Sequence, residues 1–270
     1  MKPIGVFDSG VGGLTVVKEL IRQLPYEDIV YFGDTARVPY GIKSKETVIR
    51  FSIENILFLL KYDVKFICVA CNTVSSFALP EIKNHFKVPI VGVISPGARE
   101  AVYASRNKRI GVIGTKGTIK SRSYEAEIKQ LDPKIKVTAV ACPLFVPFVE
   151  EGWVSGEVVL SVVKHYLKPL QEAKVDTVIL GCTHYPLLKS VIQKVMGKSV
   201  ELIDSAKQVA MEVNKILASE NLLNRGSKDK PVCRKGRHDF FVSDNPEWFS
   251  NLAGRFLGEP IKNVKKVSPV

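Results

Sequence analysis

The chain has 270 residues, 46% of them hydrophobic, and a formal net charge of +12 at pH 7. That length can bury one or two cores, and no apolar run approaches the roughly 20 residues of a membrane span. Five cysteines, an odd number, argue against a secreted disulfide framework, and the positive charge lacks the aromatic-interleaved stripe of a nucleic-acid binder.

Met1-Lys2-Pro3 leads straight into Ile4-Gly5-Val6-Phe7, so no signal peptide is read and the expected location is the cytoplasm. Neither nucleic acid nor membrane is expected as a partner. The basic excess concentrates in Arg225–His238 and at Lys262, Lys265 and Lys266. It reads as solvated surface, with steering of a small anionic substrate as the alternative.

Lys2–Asp8 reads as a buried strand, Ser9–Gly13 as a glycine-rich turn, and Val17, Leu20, Ile21 and Leu24 fall at helical spacing. Ile29–Asp34 is a second strand, followed by a loop over Thr35–Ile42 and a helix from Ser44. Phe66–Cys71 is a strand, and a helix broken or restarted at Pro80 follows. Val88–Ile94 reads as a strand ending at Ser95-Pro96-Gly97.

Arg109–Thr115 opens a second cycle, with a turn at Lys116–Thr118 and a helix through Leu131. Val137–Cys142 is a strand running into a proline-bearing loop, and Glu150–Trp153 precedes a helix capped near Ser155. Val178–Gly181 is a strand, and Pro186 opens helical spacing. Ser199–Asp204 is another strand, with Ser205 as N-cap of a helix to Ser219. Asn224–Arg237 is the linker candidate, and Asp239–Ser243 a strand before a closing helix through Leu257.

Strands alternating with helices, the strands being continuous apolar runs, predict parallel sheets covered on both faces. The two halves echo each other in a strand, glycine turn and helix. The expected fold class is therefore α/β, two similar parallel-sheet domains facing each other across a cleft. The first takes 1–96 plus about 207–270 and carries Cys71; the second takes 97–206 and carries Cys182.

Ligands of parallel α/β sheets bind outside the strands' carboxyl ends, where the polar clusters of this chain fall: Asp8-Ser9, Asp34, Cys71-Asn72-Thr73, Thr115 with Thr118, and Cys182-Thr183-His184. A thiol where a strand meets a helix feels the helix's positive pole, which is expected to lower its pKa toward neutrality. Neighbouring Asn and Thr side chains with free backbone N–H groups suit a carboxylate.

Cys68, Cys142 and Cys233 read as inert buried residues. Cys68 and Cys71 form a C-x-x-C, but alternation along a strand puts them on opposite faces, which disfavours a redox dithiol. Cys71, Cys182 and His184 fit no common zinc spacing, so no metal is expected. His184 beside Cys182 reads as a group assisting the thiol, against a structural histidine. Asp8 caps the turn or assists a thiol. Gly10, Gly12 and Gly13 resemble a phosphate cradle only loosely. Glu150 and Glu151 read as solvated, with one able to reach the cleft.

Six stretches then carry a resemblance: Phe7–Gly13, Tyr31–Gly41, Ala70–Thr73, Ile113–Ile119, Ala141–Pro147 and Leu180–Leu188. In this order they closely resemble the glutamate racemase branch of the aspartate/glutamate racemase superfamily, from residue 4 to about 206 and more weakly to 258. The resemblance implies cofactor-independent interconversion of L- and D-glutamate, feeding cell-wall synthesis, with no pyridoxal phosphate. It matches Cys71 and Cys182 to the two acid/base thiols, assisted on opposite sides by Asp8 and His184. It assigns substrate binding to Asp8, Ser9, Tyr40, Gly41, Asn72, Thr73, Thr183 and His184. Asp34, Thr115, Thr118 and Glu150 remain possible cleft residues.

The resemblance further implies a homodimer, and the short N-terminus implies no requirement for a cell-wall-precursor activator. Val74 departs from the family's smaller residue, and Val242–Pro246 lacks a glycine common in the family. A sibling racemase acting on aspartate or a hydantoin, or a binding module without turnover, are the alternatives.

Overall fold

The computed structural model describes residues 2–224 and 235–268. Among the described residues ten strands form two sheets in which every strand pair runs parallel. The first sheet takes β1 (Ile4–Asp8), β2 (Ile29–Gly33), β3 (Phe66–Val69), β4 (Ile90–Gly92), β9 (His238–Val242) and β10 (Lys265–Lys266), in the order β10-β9-β2-β1-β3-β4. The second takes β5 (Arg109–Gly114), β6 (Lys136–Ala141), β7 (Thr177–Gly181) and β8 (Glu201–Asp204), in the order β6-β5-β7-β8.

β1, β2, β3, β4 and β7 are buried at every residue, as strands covered by helices on both faces must be. β1 pairs with β3, and β5 with β7, so the two strands leading to the cysteines sit at equivalent places in the two sheets. The chain leaves the first sheet after β4, builds the second, and returns through the helix Ser205–Ser219 to add β9 and β10.

Several local readings change. Ile94–Ala104 is a helix with Pro96 and Gly97 in its first turn, where proline's missing N–H costs nothing. The boundaries drawn at 96/97 and 206/207 therefore both fall inside helices, the second within Ser205–Ser219. Lys116–Ser121 is a short helix capped by Thr115, whose Oγ1 accepts from the Thr118 N–H, rather than a turn. The loop after β6 folds into the helix Phe145–Glu150, since Pro147 lies in its first turn. Asp204, not Ser205, caps Ser205–Ser219, its Oδ1 accepting from the Ala206 N–H at 2.9 Å. The helix expected to be capped near Ser155 begins at Glu157 with Gly156 at its cap and no side-chain cap. Cys233 and residues 225–234 of the basic connection lie outside the described residues.

The return segment is clamped by a buried ion pair. Lys65 Nζ lies 2.6 Å from Glu27 Oε2, and both side chains are almost wholly buried. Glu27 also accepts from the backbone and side-chain N–H groups of Asn224, and Lys65 donates to the Leu222 carbonyl. Removing one partner of a buried pair strands the other charge. Lys65→Met is thus expected to destabilise the fold by about 3 kcal/mol or more, read as a lowered midpoint in urea unfolding.

Candidate active site

A cavity of about 330 Å³ opens at the carboxyl ends of both sheets. Ser9, Gly10, the loop Val38–Ile42 and Cys71, Asn72 and Thr73 form one wall; Thr115, Lys116, Pro143, Val146, Pro147, Glu150, Cys182, Thr183 and His184 form the other. Cys71 directly follows Ala70 at the end of β3 and caps the helix Asn72–Phe77. Cys182 follows the last residue of β7. The two sulfurs thus come from opposite sheets and border the same cavity.

Around Cys182 the polar groups are ordered in a line. His184 Nδ1 lies 3.9 Å from Cys182 Sγ, and its Nε2 lies 2.9 Å from Glu150 Oε1. Phe256 packs edge-on against the imidazole at 5.3 Å, from the closing helix Pro246–Leu257. Burial pushes His184 down, but the hydrogen bonds and charges of Cys182 and Glu150 outweigh it and hold the ring up at about 10. The ring is therefore an imidazolium at neutral pH and donates from both nitrogens.

Around Cys71 the balance is different. Burial first, then the Asp8 charge, push its thiol up to about 12, against the downward pull of the Val74 N–H and the Ser9 hydroxyl. The lowering expected from the helix pole does not win here: the helix is six residues long and the sulfur is almost wholly buried. Cys71 therefore holds its proton at neutral pH, donating toward Ser9 Oγ at 3.7 Å.

Asp8 lies behind the cavity wall rather than on it. Its Oδ2 accepts from the N–H groups of Gly10 and Gly13 at 3.1 and 3.0 Å, while its fully buried Oδ1 has no protein partner. The chain's own carboxylate thus fills the loose phosphate cradle of the glycine turn. Burial raises the pKa of Asp8, against lowering by the His184 charge and the turn's N–H groups.

The glycines of that turn are there for close approach. A Cβ on Gly12 would stand 2.3 Å from Thr183 Oγ1 and 2.5 Å from His184 Nδ1. Gly12→Ala is expected to push the imidazole off its line to Cys182. A displacement of about 1 Å costs on the order of a hundredfold in turnover, which steady-state kinetics on the folded variant would read.

Asp34 is also fully buried and off the cavity. It accepts from Arg37, from the Tyr40 hydroxyl and from Ser243 Oγ. The Tyr40 ring is turned into this network, so the residue borders the cavity while its hydroxyl is spent on Asp34 and Asn55. Thr118 sits just behind the wall, with its hydroxyl 3.1 Å from that of Thr115 and 3.4 Å from that of Thr73. Thr73 and Thr115 approach to 3.0 Å, closing the seam between the two sheets.

Cys68 and Cys142 are buried away from the cavity, both pushed up by burial. Val74 packs in the core behind Cys71. Pro143, Val146, Pro147 and Lys116 line the cavity and Phe256 packs on His184, although none stood among the expected cleft residues. The signal available was proline in a helix's first turn, which would have turned the Pro143–Pro147 loop into a cavity-facing helix.

Residues 4–213 match the protein-family model described as Asp/Glu/Hydantoin racemase. Glutamate racemase of Geobacter metallireducens is 52% identical over 267 residues, covering 99% of this chain and 97% of the relative. The crystal structure of glutamate racemase isoform RacE1 from Bacillus anthracis superposes with a TM-score of 0.93 at 42% identity, covering 100% of this chain and 98% of that one. The Francisella tularensis glutamate racemase in complex with D-glutamate gives 0.91 at 39% identity, covering 99% and 98%.

Proposed function

The chain belongs to the Asp/Glu/Hydantoin racemase family, and on that premise we propose that it is a glutamate racemase, interconverting L- and D-glutamate and supplying D-glutamate for peptidoglycan synthesis. The observation that carries the reading is the pair of thiols, Cys71 and Cys182, bordering one cavity from two sheets. Inverting an α-carbon requires a base on one face and an acid on the other, each able to exchange roles.

In the resting enzyme Cys71 carries its proton and is the acid. In the direction that uses Cys182 as base, the His184 ring stands 3.9 Å from its sulfur, beside the negative charge formed there. Glu150 holds the ring in line by accepting from Nε2. Reversal swaps the protonation of the two sulfurs. Asp8 acts on the opposite side, its charge favouring the protonated Cys71 thiol.

Ser9, Asn72, Thr73 and Thr183 offer neutral donors to substrate carboxylates, with the Tyr40-Gly41 backbone contributing at the wall. Fixed donors of this kind stabilise charge that develops as the α-proton leaves. Two working thiols must stay reduced, which supports a cytoplasmic location; among the described residues no helix is long and apolar enough to cross a membrane. The assembly that goes with this reading is a homodimer, testable by sedimentation.

The test of function is L-glutamate in deuterated water with the purified chain. The expected result is accumulation of D-glutamate labelled at the α-carbon. Absence of both exchange and inversion would defeat the reading, and faster turnover of aspartate would reassign the chain to a sibling racemase.

A further inference from the structure

Asn72 opens the helix that Cys71 caps, on the first sheet's side of the cavity. Its amide oxygen is not free. Tyr124, on the helix Ser123–Leu131 of the second sheet's side, donates its hydroxyl to Asn72 Oδ1 at 2.7 Å. Ser205 Oγ lies 3.1 Å from the same hydroxyl. All three residues are almost wholly buried, with Tyr124 2%, Asn72 3% and Ser205 4% exposed. The Tyr124 ring belongs to the core of the second sheet, and burial pushes its pKa up, so the phenol keeps its proton.

An amide is ambiguous in shape: rotated by half a turn, it exchanges two N–H donors for a carbonyl acceptor at nearly the same positions. In a cavity that receives a carboxylate, one orientation attracts and the other repels. Tying Oδ1 to a phenol removes the ambiguity. Asn72 lines the cavity, and among the described residues no hydrogen bond engages its Nδ2, which leaves the N–H donors of the amide for an anion.

We propose that Tyr124 is a positioning residue for substrate: reaching across the seam between the two sheets, it fixes the Asn72 amide with its NH2 toward the cavity, so that a carboxylate is bound only when the two halves are closed on each other. The neighbouring seam contacts agree in direction. Ser123 Oγ donates to the Ser76 carbonyl at 2.9 Å, pinning the start of the Tyr124 helix to the helix that carries Asn72. The Thr73–Thr115 hydroxyl contact lies alongside. This inference rests on the glutamate racemase reading and adds to it a residue that never touches the substrate.

A double-mutant cycle on the full chain tests it. Tyr124→Phe keeps the buried ring and removes only the hydroxyl, and is expected to raise KM for glutamate roughly five- to tenfold, with kcat within about twofold. Asn72→Ala raises KM at least as much, and Tyr124→Phe added to Asn72→Ala has no further effect, because its target amide is gone. Ser205→Ala, which leaves the Tyr124–Asn72 bond in place, keeps the native KM. An unchanged KM in Tyr124→Phe, a full additional loss in the double variant, or an equal loss in Ser205→Ala would each overturn the proposal in favour of a packing role. Absence of glutamate racemisation in the native chain would instead defeat the functional reading beneath it.

Discussion

Replacing either Cys71 or Cys182 with alanine is expected to lower glutamate racemisation by about a thousandfold or more, within the range that a positioned acid or base contributes. Both sulfurs lie at the wall of an open cavity, so their loss leaves space continuous with the cleft rather than a sealed void. The unfolding free energy should therefore change by no more than about 1 kcal/mol. The remaining thiol can still take a proton from the enantiomer that presents it and return a deuteron to the same face. Each variant is thus expected to exchange the α-hydrogen of one enantiomer without inverting it, and the two variants to act on opposite enantiomers. α-Proton NMR of pure D- and L-glutamate in deuterated water reads both. Near-native inversion in either variant would sink the two-thiol scheme.

The parallel α/β architecture was legible because every β-strand that matters is a continuous apolar run ending in a polar cluster, and burial on both faces leaves no other reading of that pattern. The thiols were legible because each such run stops one residue or so before its cysteine. The missing part was what faces those clusters. Glu150 stood only as a solvated residue or a possible cleft residue, without a partner, because nothing local distinguishes it; it reaches His184 because Phe145–Glu150 is a helix at the cavity wall. Phe256 joins the site from the far end of the chain through a helix whose period shows burial but not its neighbour. The Cys71 thiol departs from expectation for a related reason. The helix pole is a local property that sequence shows, whereas the burial and the Asp8 charge that oppose it are tertiary.

His184→Asn is expected to cost about a hundredfold in kcat by removing the positive charge beside Cys182, and the pH dependence separates this role from packing. Because the folded His184 is raised to about 10 from an ordinary 6.5, native turnover should be steady through neutrality and fall as pH passes about 10. In His184→Asn that limb disappears. Glu150→Gln keeps the hydrogen-bond geometry but removes one of the charges that hold the ring up, so the limb should move to lower pH. Stability carries the same sign. The folded state binds this proton more tightly than the unfolded chain, so the contribution is complete below about 6.5, declines as pH rises through the window up to about 10, and is gone above it. The thermal midpoint of the native chain should accordingly decline more steeply across that window than that of Glu150→Gln. A high-pH limb unmoved by Glu150→Gln would mean that the titrating group is not the imidazole, and the charge beside Cys182 would have to come from elsewhere.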